Sequence, residues 1–484
     1  MTLQSVLDDI QKRPGTGDLI KIIDPVSEEQ IGEFTDCGAD YVDEAVARAK
    51  SSFEAGVWSG LPGRERAKIM WRIADLIDEH AAEFAEIDSA NTGMMKLQAE
   101  MVVPTCAEFF RYYAGWCSKI NGTAYDIRTT GIATDSYVDQ HGYTLREPYG
   151  VVGLIFPWNG PIFNACAKIA PALAAGCSSL MKPAEESPLS AVLLDRLIHE
   201  AGVPEGVVNL ITGYGHTAGA AISAHDDVEK VAFTGSTEVG KMIVQASAGN
   251  LKKVMLELGG KSPVLIFDDA DLDKAIFGAA MGIFVHSGQG CVCGSRIFVQ
   301  RGVYDQVVEG IAGVANFMKY GGPNEEGVMS GPLISEKQLN RVMGYIDEGK
   351  RDGVNVVTGG YRLDRKGYFV HPTVLTDVTT DMRLYREEIF GPVVSIIPFD
   401  TEDEAVALAN DTSYGLAATA WTTNVSRAHR IVKRLQAGSV QVNCQLVFDH
   451  DLPFGGYKQS GWGQEFGREG LEAYLKNKSV VVQL

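Results

Sequence analysis

From residue 148 the chain alternates short, wholly apolar runs with longer stretches of helical periodicity. No other feature limits the fold as strongly. "VVGLIF" (151–156) precedes a helical stretch from about Phe163 to Ala175, and "CSSLMK" (177–182) precedes a helix opened by Ser187-Pro188. "VVNLIT" (207–212) and "KVAFTG" (230–235) precede helices from about His216 and from Thr237. A strand that is apolar throughout is buried on both faces, and strands joined through helices run parallel. The expected fold class is therefore α/β with a doubly wound parallel sheet. Such sheets bind ligands at the carboxyl ends of their strands. Functional residues are expected in Pro157-Trp158-Asn159, Lys182–Glu185, Gly213–Gly219 and Thr234–Gly240, which follow the four runs.

The alternation resumes from about 258, with strands near 295–300, 393–398 and 438–443 and helices near 303–316, 335–349 and 425–435. It predicts a second α/β domain. Upstream, "YVDEAVARAKSSF" and "RERAKIMWRIADLIDEHAAEFAEI" each read as one amphipathic packing helix. The stretch 122–148 alternates like a hairpin, and the tail "KNKSVVVQL" ends in a β-type run. An apolar strand at a sheet edge needs a partner, so these two pieces are expected to form a small β arm that pairs with another subunit. The expected division is a dinucleotide-binding domain over 1–124 and 148–257, a second domain over 258–464, and the arm over 125–147 and 465–484.

The chain has 484 residues, 45% hydrophobic and 22% charged, with a formal net charge of −19. That balance argues against nucleic acid and anionic membranes as partners. No early apolar run reaches membrane length and no signal peptide is evident, so a cytoplasmic location is expected. Eight cysteines are scattered along the chain, unlike a disulfide framework. Two of them, Cys291 and Cys293, stand in "SGQGCVCGSR". A structural zinc site usually needs paired knuckles, which are missing, so no metal is expected. Two buried, inert thiols are the plain alternative. The helical "DLDKAIFGAAMGIFVHSG" before the pair and the strand-like "SRIFVQ" after it place the cysteines in a turn that Gly288 and Gly290 permit. An open turn between helix and strand suits a reactive thiol.

Two further motifs need weighing. "GGKS" (259–262) looks like the end of a phosphate loop, but Met255 stands where that motif needs its first glycine, so ATP binding is rejected. Glu185 lies after the second strand, where an acidic residue takes ribose hydroxyls in dinucleotide folds. The usual Gly-x-Gly-x-x-Gly is absent after the first strand.

Taken together, "FPWN" (156–159), "KPAE" (182–185), "FTGS" (233–236), "LELGGKSP" (256–263), "GQGC" (288–291), "EEIFGP" (387–392) and "PFGGYKQSG" (453–461) make the chain closely resemble the NAD(P)-dependent aldehyde dehydrogenases over nearly its whole length. The resemblance implies that Cys291 is the nucleophile, forming a thiohemiacetal and then a thioester. Asn159, with the Cys291 N–H, matches the oxyanion donor, and Glu257 matches the base that activates the hydrolytic water. Cys293 falls outside the nucleophile position and is expected to pack. Glu257 is typically missing where the acyl group passes to coenzyme A, so its presence implies the hydrolytic, non-acylating type. The cofactor contacts implied are Ile155, Pro157, Trp158, Lys182, Glu185, Gly215, Gly235, Ser236, Leu258, Glu388 and Phe390. Glu185 would repel a 2′-phosphate, which favours NAD over NADP.

For the substrate, Gly160 stands where many relatives carry an aromatic ring, which leaves room in the channel. Phe163, Asn164, Gly290, Gln445 and Phe448 are the other expected pocket residues. No arginine stands among them to clamp a second carboxylate. A bulky apolar aldehyde, aromatic or terpenoid, is expected. The alternatives are a broad-range enzyme or a non-catalytic homologue acting as a binding protein. A homodimer or homotetramer is expected.

Overall fold

The computed structural model describes residues 2–130 and 137–483. Its first sheet has six strands, in the order Gly461–Trp462, Lys253–Glu257, Val228–Thr234, Val151–Phe156, Ser178–Pro183, Val208–Leu210. All neighbours run parallel except the edge pair Gly461–Trp462 on Lys253–Glu257. The chain enters at Val151–Phe156, steps outward on one side, then crosses to Val228–Thr234 on the other. The strand order therefore reverses between Val151–Phe156 and Val228–Thr234, and the loops after these two strands flank that switch point. Every residue of Val151–Phe156 is buried, as its unbroken apolar run requires.

The helix Pro161–Ala175 is buried at every position except Phe163 and Asn164. It lies between the sheet and the helices Gly63–Glu79 and Lys96–Trp116. The long amphipathic stretch expected as one helix is two, Gly63–Glu79 and Ala81–Thr92, broken at His80 (φ −108°, ψ 21°). The helix expected to open at Ser187-Pro188 begins at Leu189, and Ser187 does not cap it. The Leu189 N–H instead donates to the Asn91 side chain (3.3 Å), a tertiary partner.

The second sheet has seven strands, in the order Asn355–Thr358, Thr373–Thr376, Val393–Phe399, Arg296–Gln300, Pro263–Ile266, Ala417–Trp421, Ser439–Val442. Only the Asn355–Thr358 edge is antiparallel. A third sheet joins Ala124–Thr130, Tyr137–Pro148 and Leu475–Gln483, all antiparallel. The turn expected between the first two of these strands falls on 131–136, outside the described residues.

Before its end the chain crosses back from the second sheet to the first. Gly461 and Trp462 pair with Glu257 and Leu256 in the first sheet. The helix Gly467–Glu472 packs on Pro161–Ala175 and also touches the arm strand Leu475–Gln483. The chain returns to the first sheet there because Phe466 and Leu471 belong to its core.

Candidate active site

The cysteine loop is held by backbone that few sequences would choose. After the helix Leu272–Phe284, His286, Ser287 and Gly288 are all left-handed (φ 51°, 53° and 67°). Two of the three are not glycine, and such conformations persist only when the surroundings impose them. Here they do. The Ser287 N–H donates to Ser330 Oγ (2.9 Å), and its hydroxyl donates to the Gly331 carbonyl. Gln289 is fully buried; its Oε1 accepts from the Ile334 N–H (2.9 Å) and its Nε2 donates to the Pro332 carbonyl (3.2 Å). Gly288 is required, since a Cβ there would lie 2.1 Å from the Gly391 oxygen. Gly290 is not left-handed. Its missing side chain leaves space for Cys293, whose Sγ lies 2.9 Å from a Cβ built there.

All eight cysteines are unpaired. Cys293 packs against the core that contains Ala279, Ile283 and Ile297, and burial pushes its thiol up to about 12. Cys291 is half-exposed on the loop. Burial of its sulfur, reinforced by the carboxylates of Glu388 and Glu257, holds the Cys291 thiol well above the usual range. Asn159 Nδ2 donates to the Gln289 carbonyl (2.9 Å), which tethers the asparagine to the cysteine loop two residues before Cys291.

Glu257 ends the strand Lys253–Glu257, pinned by Gly461 opposite it and by the Gly235 N–H donating to its carbonyl (3.0 Å). The side chain is 3% exposed and neither carboxylate oxygen has a hydrogen-bond partner. Burial first, and then the nearby Glu465 carboxylate, push its pKa well above the ordinary carboxyl range. Lys168 opposes this shift and is ion-paired directly with Glu465. Lys168 and Glu465 were not foreseen. They lie 297 residues apart, so no local signal could have joined them, although a lysine within the apolar face of a helix was a visible oddity.

On the other side of the cysteine stands Glu388. Its Oε1 accepts from the Gly260 N–H (2.9 Å), and its carbonyl accepts from Arg341 (2.7 Å). Burial raises its carboxyl to about 7. Gly259 and Gly260 permit this approach, because a Cβ at Gly259 would lie 2.4 Å from Glu388 Oε2 and one at Gly260 would lie 2.2 Å from the Cys291 oxygen. Phe390, left-handed at φ 59°, meets Trp158 edge to face across the cleft (5.3 Å between ring centroids).

The remaining expected cofactor residues gather at the strand ends. Ile155 and Pro157 lie at the end of Val151–Phe156. Ser236 caps the helix Thr237–Ser247, its Oγ accepting from the Val239 N–H (3.3 Å), with Gly235 just before it. Lys182 is buried; its Nζ donates to the Pro183 carbonyl (2.9 Å) and stands 3.7 Å from Glu185. Gly215 opens a short turn of π type, Gly215–Gly219, with open space where its Cβ would be. Leu258 packs under Gly240, where a Cβ would meet it at 2.7 Å.

Of the expected pocket residues, Phe163 and Phe448 meet ring to ring (6.4 Å). They join Phe109, Phe454 and Phe466, three rings absent from the expected set, at 5.1–6.0 Å. Asn164 is turned inward, its Nδ2 donating to the Gly160 carbonyl (2.8 Å). A Cβ built at Gly160 would lie 3.2 Å from that nitrogen, so a larger residue there would have to displace the Asn164 amide. Gln445 pushes its amide between Gly282 and Gly294, where added Cβ atoms would lie 2.1 and 2.7 Å from its nitrogen. It fills a slot beneath the cysteine loop.

The sequence profile of the aldehyde dehydrogenase family matches residues 12–480. The chain is 45% identical to aldehyde dehydrogenase family 2 member C4 of Arabidopsis thaliana, over 97% of this chain and 92% of the relative. It is 44% identical to a mitochondrial benzaldehyde dehydrogenase of Antirrhinum majus, over 97% and 86%. The NAD+ complex of a Bacillus cereus aldehyde dehydrogenase superimposes with a TM-score of 0.95 at 43% identity, covering 100% of this chain and 98% of the other. With the profile spanning nearly every residue and both sheets matched in space, the chain belongs to the aldehyde dehydrogenase family.

Proposed function

We propose that the chain oxidises a bulky, mostly apolar aldehyde to its carboxylic acid with NAD, through Cys291. The observations that support this reading are the tie from Asn159 Nδ2 to the Gln289 carbonyl, two residues before Cys291, and the Glu257 carboxylate close enough to raise the Cys291 thiol. A thiolate at Cys291 adds to the aldehyde carbon and forms a thiohemiacetal. Asn159, whose NH2 has a second N–H beside the one given to the Gln289 carbonyl, donates to the new oxyanion together with the Cys291 N–H. Loss of hydride from that carbon leaves a thioester on sulfur. Glu257 takes a proton from water as the water attacks the thioester, which frees the acid and returns the thiol.

The residues present fit a dinucleotide, which supplies the hydride acceptor when bound. The N-terminus of Thr237–Ser247, with Gly235 before it, suits a pyrophosphate. Glu185 and Lys182 suit the adenosine ribose, and Glu388 the nicotinamide ribose. A carboxylate at Glu185 favours NAD over NADP. The five phenylalanine rings about Phe163 and Phe448 support an aromatic or otherwise bulky substrate. The first sheet with residues 454–474 serves as cofactor domain and the second as catalytic domain. The three-stranded arm serves assembly into a dimer or tetramer. Among the described residues no helix is long and apolar enough to cross a membrane, and a cytoplasmic setting fits the free thiols.

The test is NADH formation by the purified protein with an aldehyde panel. Benzaldehyde-type substrates are expected to give the higher kcat/KM. Preference for short aliphatic aldehydes would overturn the bulky-substrate reading. An unchanged NAD/NADP ratio in Glu185→Ala would overturn the role given to that carboxylate.

A further inference from the structure

The two loops on the adenosine side of the cleft are each held by a buried side chain from outside the sheet. Asp36, between the strand Glu29–Thr35 and the helix Gly38–Glu54, is 3% exposed. Its Oδ2 accepts from the Thr217 hydroxyl (2.6 Å), and its Oδ1 accepts from the Tyr214 N–H (3.2 Å) and the Gly38 N–H (3.4 Å). The loop closes so tightly on this carboxylate that a Cβ at Gly213 would lie 2.2 Å from Oδ1. The neighbouring Cys37 N–H donates to the Thr212 carbonyl (3.0 Å), which adds a backbone stitch. Asn91, near the end of the helix Ala81–Thr92, is 1% exposed. Its Nδ2 donates to the Glu186 carbonyl (2.9 Å), and its Oδ1 accepts from the Leu189 N–H (3.3 Å). It thus brackets the segment immediately after Glu185. Between the two loops lies Lys182, whose side chain passes 3.5 Å from a Cβ built at Gly219.

Neither side chain contributes to the sheet or to the cysteine loop. Each satisfies backbone groups that the loops leave unpaired, and an ordered loop binds its ligand without the entropy cost of ordering it. Resting on the proposed NAD site, we infer that Asp36 and Asn91 are positioning residues for the adenosine half of the cofactor. They set the Gly213–Gly219 loop and the Glu185 carboxylate before the cofactor arrives.

The test uses the full-length protein and equilibrium titration with NADH, read by fluorescence without turnover. The variants are Asp36→Ala, Asn91→Ala and the milder Thr217→Val, which removes one bond. Asp36→Ala and Asn91→Ala are each expected to weaken NADH binding about ten-fold or more, and Thr217→Val less, with the loss appearing in KM for NAD. The kcat at saturating NAD and the rate at which iodoacetamide alkylates Cys291 without cofactor are expected within about two-fold of the parent, because the cysteine loop has its own anchors. Binding unchanged within about two-fold in both alanine variants would overturn the inference. So would weakened binding matched by equal changes in alkylation and kcat, which would mark a general structural role. A parent protein that binds no NADH but still alkylates at Cys291 would instead overturn the cofactor reading itself.

Discussion

Cys291 and Glu257 are both shifted toward their protonated forms in the resting molecule. The thiol is raised by burial and by two carboxylates, and the Glu257 carboxyl by burial with no hydrogen bond to either oxygen. A raised thiol pKa means that the thiolate fraction is small at neutral pH and grows as pH rises toward it. Without cofactor, alkylation of Cys291 by iodoacetamide should climb up to about ten-fold per pH unit from pH 7 to 9, followed by mass spectrometry. A plateau below pH 8 would mean that the thiolate already exists. Cys291→Ala should lower kcat at least about 10³-fold, whereas Cys293→Ala should keep turnover within a few-fold and lose about 1 kcal/mol of stability from packing. Glu257→Gln should slow hydrolysis by about 10²–10⁴-fold. Its signature is a burst of one NADH per site and an acyl adduct on Cys291 in the mass spectrum; a linear time course with no adduct would count against the base role. At this scale the chemistry was legible in the sequence, because residue type decides what a thiol or carboxyl can do. The tie from Asn159 to the Gln289 carbonyl was not, since it depends on how two loops meet.

Among the elements, the helix Pro161–Ala175 does most to join scaffold and site. It is buried at every position but two, and those two, Phe163 and Asn164, lie in its first turn. Its Lys168 reaches Glu465 on the segment that returns from the second sheet, so the pair links this helix, the returning segment and the carboxyl of Glu257. Both partners are nearly inaccessible (0% and 5% exposed). Removing one charge leaves the other buried and unpaired, so Lys168→Met or Glu465→Gln should cost about 3–5 kcal/mol in denaturant unfolding. The double variant should cost less than the sum of the singles, and simple additivity would show that the two groups are not coupled. The strands and most helices were legible from apolar runs and periodicity. The break at His80 was not, and neither was the start at Leu189, where the distant Asn91 side chain accepts from the backbone N–H.

The whole molecule consists of two α/β sheets facing one cleft, with an antiparallel arm at the side. The arm carries exposed Tyr125, Leu145, Val481 and Val482, and Leu475–Gln483 forms its outer edge. A free edge with apolar side chains pairs readily with another chain. Sedimentation should show a dimer or tetramer at micromolar concentration, and truncation before Leu475 should shift it toward monomer; a monomeric parent protein would refute the assembly reading. Much of the design was determined by the sequence alone. Unbroken apolar runs dictate parallel buried strands, parallel strands dictate a crevice at their carboxyl ends, and the motifs in those loops carry the chemistry. Only the tertiary structure decided what depends on distant partners. The return of Gly461–Trp462 to the first sheet, the pairing of Lys168 with Glu465, the clasp of Asp36 on Thr217 and the strained turn before Cys291 each join segments far apart in the chain. Such contacts leave no periodicity, because each satisfies a single charge or backbone group wherever folding brings a partner within reach.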